Sequence, residues 1–436
     1  MEWFLIAGAL LVGVALAGSA VDRLPLSVPV VYLAVGALLG PWVLGLLDVD
    51  PIGDAELLER LTEVAVVISL FGAGLAMRVP LSLRTWAVPL RLAFGSMAIT
   101  VALVAAGGVL LLDLPLGIAI LLGAVLAPTD PVLAAEVRLR GPFDRDVLRR
   151  NLTAEAGLND GTAFPFVTLG LGLVGAHQLG SLGVSWVAVD VVWATVAGLA
   201  VGFGVSYVLG RAVLYARRLH RAATGFDDFI ALGIVALAYG AALGVHAYGF
   251  LAAFAAGVAI RQIERREVGE SPAAAEVDPT PAAATHPTQA PAYMARALLV
   301  HNEQLERILE LALVVLVGAM LVEVDLSIGT VLLTALVLFV LRPASVLVGL
   351  VRADVHPYDK RLIAWLGVRG IGSLYYLAFA LTHGFTGGEA QILVDVVLLT
   401  VAASVVLHGV SVTPLLERRR TAVDRAVRHG ERSALA

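Results

Sequence analysis

Two neighbouring apolar stretches of the sequence carry polar side chains of the kinds that bind a proton or a small cation. The first stretch is interrupted by Thr129 and Asp130, which lie between two prolines, and the second carries Glu155, Asn159 and Asp160 near its middle. Placing a charged carboxylate in lipid costs roughly 2.5 to 3.5 kcal/mol on insertion scales. Residues this unfavourable in an apolar run indicate a functional site.

Helical spacing sorts the side chains of the second stretch into two rows. Glu155 and Asn159 are four residues apart and share one helical face, while Ala156 and Asp160 form the neighbouring row. We therefore expect Asp160 to point into a cavity. Glu155 is expected to pair with Arg369, which lies in a later apolar run.

The composition places these residues in a membrane. Hydrophobic residues make up 59% of the 436 residues and charged residues only 15%, whereas soluble domains carry about 25% charged residues. The mean hydropathy is +0.89. The absence of cysteine excludes disulfides and thiolate chemistry, and no nucleophile–base pair or metal cluster stands at mechanistic spacing. The sequence predicts an all-α polytopic membrane protein that is no enzyme, has no resident metal or cofactor, and binds no nucleic acid.

About thirteen apolar runs approach the 20 or so residues that a helix needs to cross the hydrocarbon layer. The predicted spans are residues 2–21, 28–46, 61–77, 89–112, 117–137, 148–174, 187–214, 228–244, 248–262, 304–322, 328–351, 360–383 and 390–416. Arginines gather in the loops after odd-numbered spans and acidic residues after even-numbered spans, with Arg60 as the clear exception. The positive-inside rule therefore predicts a cell-membrane protein with its N-terminus outside and its C-terminus in the cytoplasm.

A polar segment divides the chain into two membrane parts. Residues 1–263 contain spans 1 to 9, and residues 298–416 contain spans 10 to 13. The segment between them, residues 264–297, is rich in proline, alanine, threonine and glutamate and has no apolar period, which predicts a disordered cytoplasmic loop. Residues 417–436 are expected to form a short cytoplasmic tail.

Two spans in corresponding positions are broken. Span 5 is interrupted at residues 128–131, and span 12 by the glycines of GVRGIGS, residues 367–373. Paired broken helices are typical of inverted-repeat transporters, so spans 1 to 6 and 8 to 13 are expected to be the repeats, joined by span 7. Where the breaks cross, Asp130 would neutralise helix N-termini and Arg369 helix C-termini, and Asp130 suits either a direct ligand or a helix cap. Arg342, followed by proline, is interpreted as a snorkelling residue at a kink.

Four motifs resemble the monovalent cation:proton antiporter-1 family, in particular its bacterial and archaeal sodium/proton antiporters of the NhaP type. They are APTDPV in span 5, EAGLNDGTAFPF in span 6, GVRGIGSLYYLAFAL in span 12 and SVVLHGVSVTPL in span 13. The similarity extends over about residues 2–416. It implies an inverted-repeat fold, a homodimer, and the exchange of a monovalent cation, Na⁺ first, for H⁺ by alternating access, which serves pH homeostasis.

The resemblance assigns roles to four residues of this chain. Asp160 matches the aspartate that is protonated and cation-bound in turn. Asn159 matches the preceding asparagine of relatives that exchange one cation for one proton. Thr129 and Asp130 match helix-break residues that contribute to the ion site or support it.

The resemblance also matches Glu155 and Arg369 to a structural ion pair that joins spans 6 and 12. Two cation ligands of the family are missing, because Ala156 stands where many relatives have serine and the second half of span 3 has no carboxylate. Thr129, Ser373 or water would then supply oxygen ligands. The expected substrates are Na⁺, K⁺ or Li⁺ together with H⁺. A K⁺/H⁺ or unselective antiporter, a channel and a non-transporting cation sensor are the alternatives.

Overall fold

The computed structural model describes residues 2–21, 27–130, 133, 137–139, 144, 146–220, 225–269, 280–385 and 387–428. Across these residues the protein is all-helical, without strands. Helices α1 to α8 are Glu2–Val21, Val28–Leu39, Ala55–Ala76, Leu83–Leu112, Leu116–Leu126, Val147–Leu173, Trp186–His220 and Asp227–Gly244. Helices α9 to α15 are Gly249–Val268, Pro281–Thr285, Ala290–Met320, Ile328–Gly349, Pro357–Trp365, Ile371–Thr382 and Glu389–Arg428.

Several helices have the length and composition of membrane spans. In the described part of the chain, α4, α7, α8, α12 and most of α15 are long and apolar enough to cross a membrane, and α2, α5 and α14 are shorter apolar helices. The chain is therefore a multi-pass membrane protein, as its composition predicts.

Side-chain caps mark where two of these helices begin. The carboxylate of Asp146 accepts a hydrogen bond from the amide of Leu148 at 2.9 Å, at the start of α6. The hydroxyl of Ser327 accepts one from the amide of Thr330 at 3.1 Å, at the start of α12. Each cap satisfies an amide that has no partner within its helix.

Glycines allow the closest contacts between helices. A Cβ at Gly36 of α2 or Gly318 of α11 would overlap the main chain of the other helix, and Gly74 of α3 and Gly257 of α9 oppose each other in the same way. Small residues permit such approach where lipid provides no hydrophobic drive for association. Helices α2, α3, α7, α8, α9 and α11 pack together through these and neighbouring contacts. We call them the first group.

The second group consists of α4, α5, α6, α12, α13, α14 and α15, and it contains both breaks; α14 also packs extensively against α3 of the first group. Helix α5 ends at Leu126 and the chain is non-helical over residues 127–130, while residues 366–370 separate α13 from α14. Both breaks lie where the sequence predicts them, and the predicted fold class is confirmed. The far half of span 5, including Pro131, lies largely outside the described residues.

The polar segment between the two membrane parts differs from the expectation of a disordered loop over residues 264–297. Helix α9 continues to Val268, α10 occupies part of the segment, and α11 begins at Ala290. Burial of Met294 and Leu298 stabilises the first turns of α11, since both side chains are fully buried. The composition of the segment does not predict this burial. Residues 270–279 lie outside the described residues.

Candidate ion-binding site

The two breaks cross and are joined by a main-chain hydrogen bond. The amide of Asp130 donates to the carbonyl oxygen of Val368 at 2.9 Å. Unwound backbone is tolerated inside a membrane protein only where its polar groups are satisfied or line a cavity. This bond satisfies one donor and one acceptor of the two breaks together.

The Asp130 side chain caps α14. One carboxylate oxygen accepts a hydrogen bond from the amide of Ile371, the first residue of α14. The other accepts from the amide of Leu133 at 3.3 Å. A carboxylate at a helix N-terminus also stabilises the positive end of the helix dipole. Of the two roles open to Asp130 from sequence, the geometry favours the cap.

Arg369 satisfies the opposite helix end. Its Nε donates to the carbonyl oxygen of Leu126, the last residue of α5, and its Nη1 donates to the carbonyl oxygen of Gly367 at 2.6 Å. The side chain is fully buried. The predicted placement of an acid at the N-terminus and a base at the C-terminus of the crossing helices therefore agrees with the geometry.

The predicted ion pair between Glu155 and Arg369 is not formed in the described structure. Glu155 instead pairs with Arg342 of α12, and both side chains are buried. Arg342 is thus not a snorkelling residue. The physical reason is that Arg369 is engaged by the carbonyl groups of the α5 terminus and its own break, which leaves Arg342 as the nearest cation for Glu155. Arg369 still lies within electrostatic range of Glu155.

Asn159 and Asp160 lie against the crossing from α6. The Asn159 amide nitrogen donates to the hydroxyl of Thr129 at 2.6 Å, which ties α6 to the first break. Asp160 faces the first turn of α14, where a Cβ at Gly372 would lie 2.6 Å from its Oδ1. The hydroxyl of Tyr376, one turn further along α14, donates to the main-chain oxygen of Asp160. The structure therefore brings the four predicted site residues together.

Three oxygen atoms at this place lack hydrogen-bond partners among the described residues. They are Oδ1 of Asp160, Oδ1 of Asn159 and Oγ of Ser373, and each of these residues is only 1% exposed. Buried polar atoms are normally satisfied, so unsatisfied ones call for a ligand, an ion or water. Na⁺ and K⁺ are coordinated by oxygen, so these atoms are candidate ligands for such a cation.

The approach to the site is asymmetric. On the side where α6 begins, a small cavity of about 10 Å³, the space of one water molecule, is lined by Thr129, Asp130, Arg138 and Ala156 among others. On the side where α6 ends, aromatic rings pack around Phe164. Its ring centroid lies 5.1 Å from that of Tyr376, and Tyr248, Phe250, Tyr375 and Phe379 complete the cluster. The aromatic cluster closes that side.

Sequence reasoning missed several residues of this region. Arg342 was open to detection, because two arginines in apolar spans compete for the single carboxylate of Glu155. Tyr376 and Phe164 lie inside motifs already noted but carry no charge to mark them. Their contacts depend on which helix faces which, and helical periodicity alone does not report that.

Two broken helices cross beside the buried carboxylate of Asp160, which has no ion-pair partner among the described residues; this arrangement is typical of membrane ion transporters with inverted repeats. The sequence profile described as "Sodium/hydrogen exchanger, transmembrane" matches residues 6–418. The chain belongs to this family.

Curated relatives carry antiporter names. A probable Na⁺/H⁺ antiporter of Schizosaccharomyces pombe is 28% identical over 207 residues, which is 45% of this chain and 27% of the relative. The K⁺/H⁺ antiporter NhaP2 of a Shewanella species is 25% identical over 417 residues, or 94% of this chain and 66% of the relative. The chain thus spans less than two thirds of the length of these relatives.

A solved structure shares the fold. The sodium proton antiporter MjNhaP1 from Methanocaldococcus jannaschii, determined at pH 8, has a TM-score of 0.71 with 18% sequence identity. The similarity covers 95% of this chain and 98% of that one. The two proteins therefore share their architecture over almost the entire chain.

Proposed function

We propose that the protein is a secondary transporter that exchanges a monovalent cation for a proton, with Asp160 as the carrier of both. The observation that carries this proposal is a set of three buried oxygen atoms, of Asp160, Asn159 and Ser373, that have no hydrogen-bond partner in the described part of the chain. Thr129, whose hydroxyl accepts from Asn159, stands next to them. Na⁺ is the first candidate cation.

The carboxylate of Asp160 binds either a proton or a cation. A bound proton removes the negative charge that attracts the cation, and a bound cation excludes the proton. Asp130 and Arg369 neutralise the helix ends around the site, and we assign the change of charge during exchange to Asp160. One cation then replaces one proton, which makes the exchange electroneutral.

Alternating access requires one helix group to move against the other. The second group carries the site, and the first group with α11 faces it as a scaffold, which the family resemblance identifies with the dimer-forming part of a homodimer. The distribution of arginines places the side where α6 begins in the cytoplasm. In this orientation the small cavity lies on the cytoplasmic side of the crossing, and the aromatic cluster around Phe164 lies on the outer side.

Asp160→Asn tests the proposal directly. In proteoliposomes with a preset pH gradient, Na⁺ added to the wild type should dissipate the gradient, and the variant should lose at least about 100-fold of this activity because the amide binds neither ligand as the carboxylate does. Asp113→Asn, which removes an exposed carboxylate distant from the crossing, is the matched control. Cation-driven dissipation that survives in Asp160→Asn rejects the assignment.

Competition for one carboxylate also predicts a pH dependence. As the pH falls through the range in which Asp160 takes up a proton, the apparent KM for the cation should rise by about tenfold per pH unit, with kcat changed far less. The measurement is the initial exchange rate at several pH values over a range of cation concentrations. An apparent KM independent of pH would contradict a shared site.

A K⁺/H⁺ antiporter is the second candidate. Ala156 lines the small cavity in place of a hydroxyl ligand, and the similarity to the Shewanella K⁺/H⁺ antiporter extends over 94% of this chain. The same assay with Na⁺, K⁺ and Li⁺ separates the two. Cation flux that generates a current and ignores the pH gradient would indicate a channel instead.

A further inference from the structure

Arg138 lies between the ion site and the side where α6 begins. It lines the small cavity together with Thr129 and Asp130, and its side chain is only 11% exposed. The two nitrogen atoms Nη1 and Nη2 both contact the carboxylate of Glu306. The cavity also borders Ala156, one helical turn before Asp160 on α6, so a cation that approaches Asp160 from this side passes the Arg138 guanidinium.

Glu306 is itself held in place. The Asn302 side-chain nitrogen, one turn earlier on α11, donates to Glu306 Oε1 at 2.7 Å and to the carbonyl oxygen of Ile68 on α3 at 3.0 Å. Gly72 of α3 makes room, because a Cβ there would overlap both side chains. Glu306 and Asn302 are thus a rigid receptor for the guanidinium, built on the first helix group.

The segment around Arg138 is fastened to the second group. The Arg138 carbonyl oxygen accepts a hydrogen bond from Nη1 of Arg149 at 2.9 Å, and the amide of Leu139 donates to the hydroxyl of Thr153 at 3.1 Å. Arg149 and Thr153 both lie on α6, the helix of Asp160. The ion pair between Arg138 and Glu306 therefore joins the two groups at the cavity.

Four carboxylates act on the Arg138 guanidinium. Glu306 contacts it, and three more lie within electrostatic range, namely Glu303 and Glu310 of α11 and Asp130 of the crossing. If the Glu306 charge is removed, the guanidinium is left next to Asp130 and the cavity. It would then occupy the place that an entering cation must cross.

We propose that Arg138 is a positioning residue that controls cation entry from the cytoplasmic side, and that Glu306 holds it away from the site. The inference rests on the proposed function and deepens it. With Glu306 present, its carboxylate neutralises the guanidinium, so the pair does not repel a cation on this side. Relative motion of the two groups separates Glu306 from Arg138, and the freed positive charge then repels cations from the cytoplasmic entrance while the site faces outward.

The experiment measures the apparent KM for the cation in proteoliposomes, with Glu306→Gln, Arg138→Gln and the double variant. Glu306→Gln should raise the KM by about tenfold, because the released guanidinium competes with the cation. Arg138→Gln should lower the KM by about threefold, since no guanidinium remains that can be released and repel the cation. The double variant should have the low KM of Arg138→Gln. Glu267→Gln, which removes a glutamate paired with Arg211 and Arg218 distant from the cavity, is the control.

The opposite direction of the two single effects separates this role from a structural one. If the pair only stabilised the fold, both single variants would raise the KM or lower the amount of folded protein alike, and either result overturns the proposal. Should Glu306→Gln fail to fold, Arg138→Gln decides alone, and a KM equal to or above that of the wild type overturns it. Failure of the proposed function gives a different result: the wild type would show no cation-driven dissipation of the pH gradient, or Asp160→Asn would retain it. Neither measurement involves the Arg138 or Glu306 variants.

Discussion

Two glycines, Gly370 in the second break and Gly372 in the first turn of α14, bring the main chain close to two carboxylates. A Cβ at Gly370 would overlap the carboxylate of Asp130, and a Cβ at Gly372 would lie 2.6 Å from Oδ1 of Asp160. Since a glycine has no Cβ, the positive end of α14 can approach both carboxylates. These glycines are therefore part of the site and not only breakers of the helix.

Gly372→Ala tests this reading at the residue scale. The added methyl group should displace the Asp160 carboxylate or fill the space of the cation, and raise the apparent KM by about tenfold or more, as misplacement of a binding group by a fraction of an ångström commonly does. The measurement is cation-driven dissipation of a pH gradient in proteoliposomes. Gly388→Ala is the matched control, because nothing lies within 4 Å of a Cβ at that position. An unchanged KM in Gly372→Ala would contradict the placement of Asp160.

Helix boundaries and breaks were predictable where the sequence itself carries their cause. The apolar run at the N-terminus predicts residues 2–21 and α1 is Glu2–Val21, and α6 begins and ends within one residue of its prediction. The two breaks were visible because proline and glycine disfavour helix. The partner of Glu155 was not predictable from the sequence, since two arginines from different spans could reach it. Only the packing of α6 against α12 and the crossing decides between them.

The choice between these arginines makes an element-scale prediction. Arg342→Gln should destabilise the protein by about 3 to 5 kcal/mol, because it leaves the buried Glu155 charge without its partner. Glu155→Gln combined with Arg342→Gln should be more stable than Arg342→Gln alone. Thermal unfolding in detergent measures both. The comparison is Glu155→Gln combined with Arg369→Gln, measured against Arg369→Gln alone. If adding Glu155→Gln restores more stability to Arg369→Gln than to Arg342→Gln, the result supports the direct Glu155–Arg369 contact that the structure lacks.

At the scale of the whole molecule, the ion site and the residues that hold Arg138 belong to different helix groups. The second group contributes Asp160, Asn159, Thr129 and Ser373, while the Glu306 receptor belongs to the first. A movement between the groups therefore changes the entrance without taking the site apart. In the proposed mechanism, the same division lets the site stay buried while the protein opens to one side and then the other.

The direction of that opening depends on the orientation of the chain, which the arginine distribution predicts. The sequence has no cysteine, so single cysteines report sidedness without background. Asp48→Cys, exposed in the loop after α2, should react with a membrane-impermeant maleimide in intact cells. Thr421→Cys, exposed near the end of α15, should react only after the membrane is permeabilised. The reverse pattern would place the cavity lined by Arg138 on the outside, and Arg138 would then control release of the cation to the exterior in place of its entry from the cytoplasm.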